Sequence, residues 1–389
     1  MQIFGIVNLV LRWYNFGMSN VNKLFGAKKP YDLQKTEQTF VKAMRDNCKY
    51  HYEHCKEYRE ILDKAGFSPD DIKTAKDLER LPFLPTLYLK RHRILSMPTR
   101  RMPLKVTSSG TGGVKSFVGF NLRCLWNELK MVIAVAKYHK LWSARLTRYV
   151  VFGYRPRRDN ALGASKSAWG FTFFAPAASR VYALDYKDGK YQLDLDNIKN
   201  KLVKYAKGRL PVRTMGFPAY TYFLLRQMKE EGLSVKLPKG SLICLGGGWK
   251  QFYAEKVSKE DFYKLAYEVL GVDDKHVIEF FGAVEHPILY TDCREHHFHV
   301  PVYARVIIRD VDTFAPLPNG QIGLVNLLTP VFDSAPMLSI LTDDIGVLHD
   351  ELCACGETSP YLEILGRVGV KDIVTCAQGA EEILKDLMK

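Results

Sequence analysis

Hydrophobic periodicity predicts that the chain begins with helices. Apolar residues recur every three or four positions between residues 40 and 62, which predicts one long amphipathic helix that ends near Gly66. Ser68 and Pro69 have the order of an N-cap and a first-turn proline, so a short second helix is predicted there. The residues of the first pattern are Phe40, Met44, Cys48, Tyr52, Cys55, Tyr58 and Leu62.

Short apolar strand patterns alternate with helical patterns in the middle of the chain. The predicted strands are 149–153, 181–184, 214–217, 242–245 and 277–281, and the predicted helices are 125–141, 195–206, 219–231 and 259–270. Short apolar strands separated by helices are typical of a mainly parallel sheet that is covered on both faces. The fold class predicted for this part is therefore α/β.

From Phe298 the pattern changes to β. Strands are predicted at 302–308, 322–328 and 337–341, with turns at 318–320 and 343–346. These patterns predict four parts. They are an amphipathic extension (1–30), an α/β core that includes the helical start (31–297), a β-rich subdomain (298–366) and a short tail (367–389).

The positive charge of the chain is concentrated near its N-terminus. Residues 1–150 hold 27 Lys and Arg against 12 Asp and Glu, and from Lys90 to Arg148 only Glu128 is acidic. A field of this sign attracts nucleotides, the phosphates of coenzyme A or an acidic protein; alternatively, it is an ordinary solvated face. No nucleic-acid-binding signature is present, so nucleic acid is not expected as a partner.

The cysteines and the apolar N-terminus bear on location. Eight cysteines without a regular framework favour a reducing, cytoplasmic compartment. The apolar run that starts at Ile3 is too short to span a bilayer and is not framed as a signal peptide. Residues 3–25 are aromatic and poorly charged, which suits a peripheral contact with a membrane; alternatively, they form a helix packed on its own domain.

A loop rich in hydroxyls and glycines is the first candidate site. Glycines bring backbone N–H groups close to a ligand, while hydroxyls and a lysine add donors and charge for polyphosphate. A P-loop is excluded because Val114 precedes the lysine where that motif needs glycine. An ordinary polar surface loop is the alternative. The loop comprises Thr107, Ser108, Ser109, Gly110, Thr111, Gly112, Gly113, Val114, Lys115 and Ser116.

Further motifs follow predicted strands, where the carboxyl ends of an α/β sheet collect ligands. Gly246, Gly247 and Gly248 follow one strand, and the next ends in Phe281, Gly282 and, three residues later, Glu285. A Thr-x-Asp motif that ends at Asp344 and the pair Gly366 and Arg367 come later still.

The order of these motifs resembles that of the adenylate-forming superfamily of acyl-CoA synthetases. Within it the chain most resembles the LuxE-type acyl-protein synthetases, with the phenylacetate-CoA ligase branch as the neighbouring relative. The specific marks are the loop at 107–116, the glycine triplet with Trp249 and Lys250, and the segment from Gly366 to Gln378. The resemblance runs from about Tyr31 to the C-terminus.

The resemblance implies a role for each motif. Residues 107–116 would hold the phosphates of ATP, Gly246 to Gly248 would hold adenine, and Glu285 would hold Mg²⁺. Phe281 and Gly282 would also belong to the ATP-binding residues. Asp344 would bind the ribose hydroxyls and Arg367 the ribose or phosphate. A contact from Lys115 is an expectation of our own, because the family usually has proline at that position.

The resemblance also implies a transfer step that involves the C-terminal tail. Only 22 residues follow Arg367, so the mobile C-terminal domain of the superfamily is expected to be largely absent, as in the LuxE-type branch. In that branch a cysteine near the C-terminus receives the acyl group and passes it to a reductase, and Cys376 stands at the matching place. Alternatively, Cys376 is an idle thiol, because only Lys371 and Lys385 lie near it in the sequence to lower its pKa.

A cluster of cysteines and histidines predicts a metal site. Three thiolates and one imidazole suit tetrahedral zinc, as the resemblance to phenylacetate-CoA ligases also implies. His296 or His297 could replace His299, and four unconnected residues are the alternative. The candidate ligands of a structural Zn²⁺ are Cys293, His299, Cys353 and Cys355.

The sequence thus predicts an enzyme that uses ATP and Mg²⁺ to activate a carboxylic acid, of which a fatty acid is the first candidate. The acyl group would pass to Cys376 or to a partner, either an acyl reductase or an acyl carrier protein. The alternatives are a phenylacetate-type CoA ligase and a basic binding module without catalysis.

Overall fold

The N-terminal part of the chain is helical, as predicted. The computed structural model describes residues 19–367 except 109–115, 158–162, 188–189, 250–251 and 253–254. Ser68 caps a short 3-10 helix at Pro69–Asp71 and forms a capping box with Asp71, which confirms the predicted second helix. The elements of this part are α1 (Asn20–Phe25), α2 (Leu33–His54), α3 (Lys56–Lys64), β1 (Leu84–Pro85) and α4 (Thr86–Arg91).

The prediction of a single helix over residues 40–62 is wrong, because α2 ends at His54 and α3 begins at Lys56. Cys55 between them has extended backbone angles (φ −130°, ψ 105°). The apolar spacing continues through the break because both helices bury their apolar side chains in the same core. Hydrophobic periodicity therefore could not reveal it.

The middle of the chain forms a mainly parallel sheet. Within the described residues its strand order is β10-β9-β8-β7-β4-β5-β6, and the five central strands are parallel. A separate hairpin, β2 (Leu104–Thr107) and β3 (Phe117–Phe120), carries the candidate phosphate loop. The remaining strands are β4 (Thr147–Tyr154), β5 (Ala177–Lys187), β6 (Lys190–Leu193), β7 (Val212–Gly216), β8 (Leu242–Gly246), β9 (Val277–Ala283) and β10 (His286–Thr291).

Helices cover both faces of this sheet, which confirms the predicted α/β architecture. One apolar cluster packs beneath α7, α8 and α9, and a second lies under α5 and α6. The predicted bounds of α7 and α9 match those of the structure, whereas α5 begins three residues earlier than predicted, after Asn121. Its side chain caps the helix by accepting from the Cys124 N–H. These helices are α5 (Leu122–Tyr138), α6 (Gly163–Phe171), α7 (Leu195–Ala206), α8 (Pro218–Glu230) and α9 (Lys259–Leu270).

A second, largely antiparallel sheet forms the β-rich part, with strand order β11-β15-β14-β13-β12 and β1 paired to β14. The turn predicted at 343–346 is wrong, because these residues lie inside β14. A Cβ at Gly346 would lie 2.5 Å from the Glu363 carbonyl oxygen, so this glycine permits close strand contact at a bulge. The strands are β11 (Phe298–His299), β12 (Arg305–Arg309), β13 (Ile322–Leu328), β14 (Ser339–His349) and β15 (Tyr361–Arg367).

The N-terminal helices and the β-rich sheet share one core. Two polar side chains of α2 tie them together at the Phe332 carbonyl oxygen, which lies 2.7 Å from Asn47 Nδ2 and 3.0 Å from His51 Nε2. Burial lowers the pKa of His51 to about 4, so this imidazole is neutral at pH 7. The four-part division at residues 30, 297 and 366 stays a prediction. Among the described helices, none is long and apolar enough to cross a membrane.

We expect Gly216 at the end of β7 to be intolerant of a side chain. Its φ is +146°, and a Cβ there would lie 2.2 Å from the Phe152 carbonyl oxygen. Gly216→Ala should lower the free energy of unfolding by roughly 3 kcal/mol or more. Gly232→Ala is the matched control, because Gly232 has φ +66° but open space around it, and it should cost about 1 kcal/mol.

Urea denaturation followed by circular dichroism measures both changes. Equal free energies of unfolding for the two variants would contradict the close approach of β7 to β4.

Candidate active site and Cys/His cluster

The two ends of the hydroxyl-glycine loop are held together by the β2–β3 hairpin. Thr107 pairs with Phe117 in the ladder. The Ser108 N–H donates to the Ser116 carbonyl (3.2 Å), and the Ser116 N–H donates to Ser108 Oγ (2.9 Å). These bonds fix the positions at which the loop begins and ends. Its predicted phosphate ligands Ser109, Gly110, Thr111, Gly112, Gly113 and Lys115 lie outside the described residues.

The base of this loop contacts Glu285, the predicted Mg²⁺ ligand. Glu285 lies in the turn between β9 and β10, and only 5% of its surface is exposed. Ser116 Oγ donates a short hydrogen bond to its carboxylate. Two motifs that are 169 residues apart in the sequence therefore meet at one point, where the hydroxyl of Ser116 contacts the carboxylate of Glu285.

The glycine triplet leaves the end of β8 without side chains. Gly246 pairs with Phe280 of β9, and a Cβ at Gly246 would lie 3.7 Å from the Phe280 Cβ. Gly247 and Gly248 have φ of +83° and +67°, a region that favours glycine. The segment therefore offers bare backbone against which a flat ligand can lie.

Phe281 and Gly282, two further predicted cofactor-binding residues, are consecutive in β9. The Phe281 ring faces Tyr290 and Phe298, with ring centres 5.8 and 6.0 Å apart. A Cβ at Gly282 would lie 2.8 Å from the Ile288 carbonyl oxygen, so this glycine is required by the β9–β10 pairing itself.

The structure brings Asp344 and Arg367 together and adds residues that sequence reasoning missed. Asp344 pairs with Arg367 in the β14–β15 ladder, and their side chains approach to 3.9 Å. The neighbouring Asp343 is buried. It accepts from Thr86 Oγ1 (2.9 Å), Lys90 Nζ (3.5 Å) and Arg367 Nη2 (3.4 Å). The signal in the sequence was the first aspartate of the Thr-Asp-Asp motif at residues 342–344.

The four predicted zinc ligands converge. The ligand atoms of Cys293, His299, Cys353 and Cys355 all lie within 4.8 Å of one another. The Cys293 and Cys353 sulfurs are 3.8 Å apart, and His299 Nε2 is 3.2 Å from the Cys355 sulfur. In a tetrahedral site with Zn–S bonds of about 2.3 Å, two sulfurs lie about 3.8 Å apart. The four-residue cluster therefore has the spacing of a zinc site.

Backbone groups orient these side chains. The Glu295 N–H lies 3.4 Å from the Cys293 sulfur, and the Glu357 N–H lies 3.3 Å from the Cys355 sulfur. His299 Nδ1 lies 2.9 Å from the Ser359 carbonyl oxygen, which leaves Nε2 turned to the sulfurs. Burial raises the pKa of Cys293 to about 12, so metal binding here would displace a proton.

His296 and His297, the alternative ligands considered from the sequence, have different partners. His296 Nδ1 lies 2.9 Å from Asp292 Oδ2, a contact that turns this ring nitrogen to a carboxylate. His297 stacks on Tyr361 with ring centres 4.1 Å apart, and its Nδ1 lies 3.2 Å from the Cys353 sulfur. His297 is therefore the alternative ligand that the geometry allows.

Two further predictions concern the ends of the chain. Cys376 lies outside the described residues. Of the segment 3–25, residues 19–25 are described, and Val21 and Leu24 of α1 are buried in the N-terminal core. For this part, packing on its own domain is what the structure shows.

The fold is that of adenylate-forming CoA ligases. A 2-hydroxyisobutyryl-CoA ligase, solved in the postadenylation state in complex with 2-HIB-AMP, superposes with a TM-score of 0.64 over 86% of this chain and 68% of its own, at 18% identity. An open conformation of that ligase, in complex with 2-HIB-AMP and CoA, also has a TM-score of 0.64, over 87% of this chain and 71% of its own, at 18% identity. The predicted fold class is confirmed.

The chain belongs to the LuxE acyl-protein synthetase family, whose model matches residues 16–385. A long-chain-fatty-acid–luciferin-component ligase of Vibrio harveyi is 25% identical over 90% of this chain and 90% of its own. A phenylacetate-coenzyme A ligase of Thermus thermophilus is 26% identical over 82% of this chain and 67% of its own. The predicted family, its neighbouring branch and the assignment as an acid–thiol ligase are confirmed.

Proposed function

We propose that this protein activates a long-chain fatty acid with ATP and transfers the acyl group to a thiol. A carboxylate oxygen attacks the α-phosphorus, the bond to the β-phosphate breaks, and acyl-AMP and pyrophosphate form. A thiolate then attacks the acyl carbon, and AMP leaves. The family supports this chemistry, and the name of the Vibrio harveyi relative supports the fatty acid.

The contact between Ser116 and Glu285 is the observation that carries the proposal. A carboxylate as buried as Glu285 is costly unless its oxygens are satisfied, and here one oxygen accepts from the hydroxyl at the base of the loop. Adenylation needs donors and positive charge at the phosphate oxyanions. The loop that begins and ends at this contact has the hydroxyls, N–H groups and lysine for that task.

The residues present fit a magnesium ion. Mg²⁺ prefers oxygen ligands and is usually held by one or two carboxylates together with substrate phosphates. Glu285 supplies the carboxylate, and Ser116 keeps it oriented. When bound, the ion neutralises charge on the phosphate oxygens. In our proposal the loop residues and Lys115 donate to those oxygens.

We assign the remaining binding roles to residues that lie in or next to strands β8, β14 and β15. Gly246, Gly247 and Gly248 would accept adenine against their bare backbone. Asp344 would accept from the ribose hydroxyls, and Arg367 beside it would donate to ribose or phosphate. Asp343 then has a positioning role, because it holds Arg367 and Lys90.

For the acyl acceptor we propose Cys376, which would pass the acyl group to a partner protein. An acyl reductase is the partner implied by the branch, and an acyl carrier protein is the alternative that the basic region suits. A CoA ligase is the second candidate function, because the structural relatives in hand are CoA ligases. A binding module without catalysis is the third.

Glu285→Gln should reduce carboxylate-dependent exchange of labelled pyrophosphate into ATP by about 100-fold or more, because an amide binds Mg²⁺ poorly. Glu279→Gln is the matched control, since Glu279 lies in β9, the strand that precedes the Glu285 turn, and pairs with Lys259 at 2.8 Å. It should keep at least half of the exchange rate. Exchange that is absent from the wild-type protein with every fatty or aromatic acid would exclude the enzyme and leave the binding module.

Cys376→Ser should keep pyrophosphate exchange but lose the hydroxylamine-sensitive label that a radioactive fatty acid leaves on the protein, because exchange requires only the first step. Electrophoresis of the protein after incubation with labelled acid and ATP measures this label. Thioester formation with coenzyme A that survives in Cys376→Ser would favour the CoA ligase instead.

We also propose that Cys293, His299, Cys353 and Cys355 hold one structural zinc ion. The cluster joins the segment between β10 and β11 to the loop between β14 and β15. The 3.8 Å spacing of the Cys293 and Cys353 sulfurs supports this proposal. The contact of His299 Nδ1 with the Ser359 carbonyl oxygen also supports it, because it leaves Nε2 for the metal.

The purified protein should contain about one zinc per chain by mass spectrometry, and both Cys293→Ser and His299→Gln should lose it. His296→Gln is the matched control and should keep the metal. Cobalt exchanged into the wild-type site should give thiolate-to-metal absorption, a readout that does not depend on the folding of a variant. A wild-type protein that binds neither metal would refute the site.

A further inference from the structure

Exposed aromatic side chains gather at one end of the large sheet, opposite the candidate active site. Trp142, Trp169 and Phe173 are 52%, 44% and 50% exposed. Trp169 packs edge-on against Phe173 (4.7 Å between ring centres), and Trp142 packs edge-on against the buried Phe174 (5.2 Å). Leu146, which is 45% exposed, lies on the same connection as Trp142. Large side chains of this kind are normally buried.

Trp169 lies near the end of α6, and the other residues lie in loops that enter parallel strands at the same edge of the sheet. Residues 139–146 lead into β4, 172–176 into β5, 207–211 into β7 and 236–241 into β8. Three bonds join the loops, as the Ser143 N–H donates to the Phe174 carbonyl and Arg145 donates to the carbonyls of Arg209 and Lys239. The four loops therefore form one continuous surface, which we call the entry face.

The four loops of the entry face carry cationic side chains. The segments 137–150, 163–184, 201–213 and 236–245 contain no Asp or Glu, and Glu230 and Glu231 lie at the start of the connection that leads to β8. Asp273 and Asp274, before β9, mark the limit of the face on one side. The Arg180 guanidinium lies 5.1 Å from the centre of the Phe173 ring. The exposed cations are Lys137, Lys140, Arg145, Lys204, Lys207, Arg209, Lys236 and Lys239.

We propose that the entry face rests on an anionic lipid bilayer. Tryptophan and phenylalanine insert at the headgroup level, while surrounding lysines and arginines are attracted by the negative potential of the lipid. Lysine is depleted in protein interfaces relative to the rest of a protein surface, so this lysine-rich face fits an anionic bilayer better than a protein partner. The edge-on packing of the rings also leaves no parallel platform for nucleic-acid bases.

This orientation would leave the active site accessible. The glycine triplet and Glu285 lie at the carboxyl ends of β8 and β9, and the entry face lies at the amino ends of the parallel strands. A protein seated in this way keeps its ATP site toward water while it stands beside the phase in which fatty acids dissolve. The lipid contact itself does not depend on the proposed activity.

Vesicle sedimentation of the full-length protein tests the proposal. Vesicles with about one third phosphatidylglycerol should bind the protein, pure phosphatidylcholine vesicles should bind it at least tenfold more weakly, and added salt should release it. Trp142→Ala combined with Phe173→Ala should weaken binding to the anionic vesicles by at least tenfold. Lys207→Glu combined with Lys239→Glu should do the same.

Ile322→Ala is the matched control, because Ile322 is 63% exposed but lies in β13 of the other sheet, and it should not change binding. Far-ultraviolet circular dichroism checks that every variant keeps its fold. Failure of the wild-type protein to bind anionic vesicles would overturn the proposal. Unchanged binding by both double variants would also overturn it and assign the contact to another surface. If the double variants lost binding to a protein partner but kept their binding to anionic vesicles, the entry face would be assigned to that partner and the proposal would be overturned.

Discussion

The buried Glu285 carboxylate imposes the constraint on which the site depends. A carboxylate that is withdrawn from water must have its oxygens satisfied, and Ser116 meets this need from a hairpin that belongs to neither large sheet. The hydrogen bond therefore fixes where the loop between β2 and β3 ends, relative to the carboxyl ends of the parallel strands. Loss of the carboxylate would remove the proposed metal ligand and the support for this end of the loop at the same time.

Much of the α/β part could be predicted from the sequence because its strands are short, apolar and separated by helices with clear periodicity. The bounds of α7, α9 and β13 agree with the prediction. The errors have physical reasons. Cys55 breaks a helix while its neighbours keep one buried face, and Gly346 looks like a turn residue but serves the contact between β14 and β15. Hydrophobic periodicity indicates which residues are buried, but it does not show where a helix breaks or whether the chain turns.

Individual residues of the candidate site could be predicted from the sequence, but the contacts between them could not. Motif order predicted Glu285, Asp344 and the glycine triplet as site residues. Cysteines and a histidine flanked by turn-like sequence suggested the four-residue cluster, whose convergence the structure bears out. The roles of Thr86, Lys90 and Asp343 could not be predicted, because they depend on α4 packing against β14. The entry face was also missed, since it consists of four separate loops that meet only when the strands align.

The position of Arg367 sets a limit on the thiol that follows it. Arg367 ends β15 beside Asp343 and Asp344, and Cys376 comes nine residues later in the chain. Nine residues extend at most about 30 Å. Under our proposal, Cys376 would therefore have to collect the acyl group within that distance of Arg367. The proposed partner would have to receive the acyl group within the same distance of the end of β15.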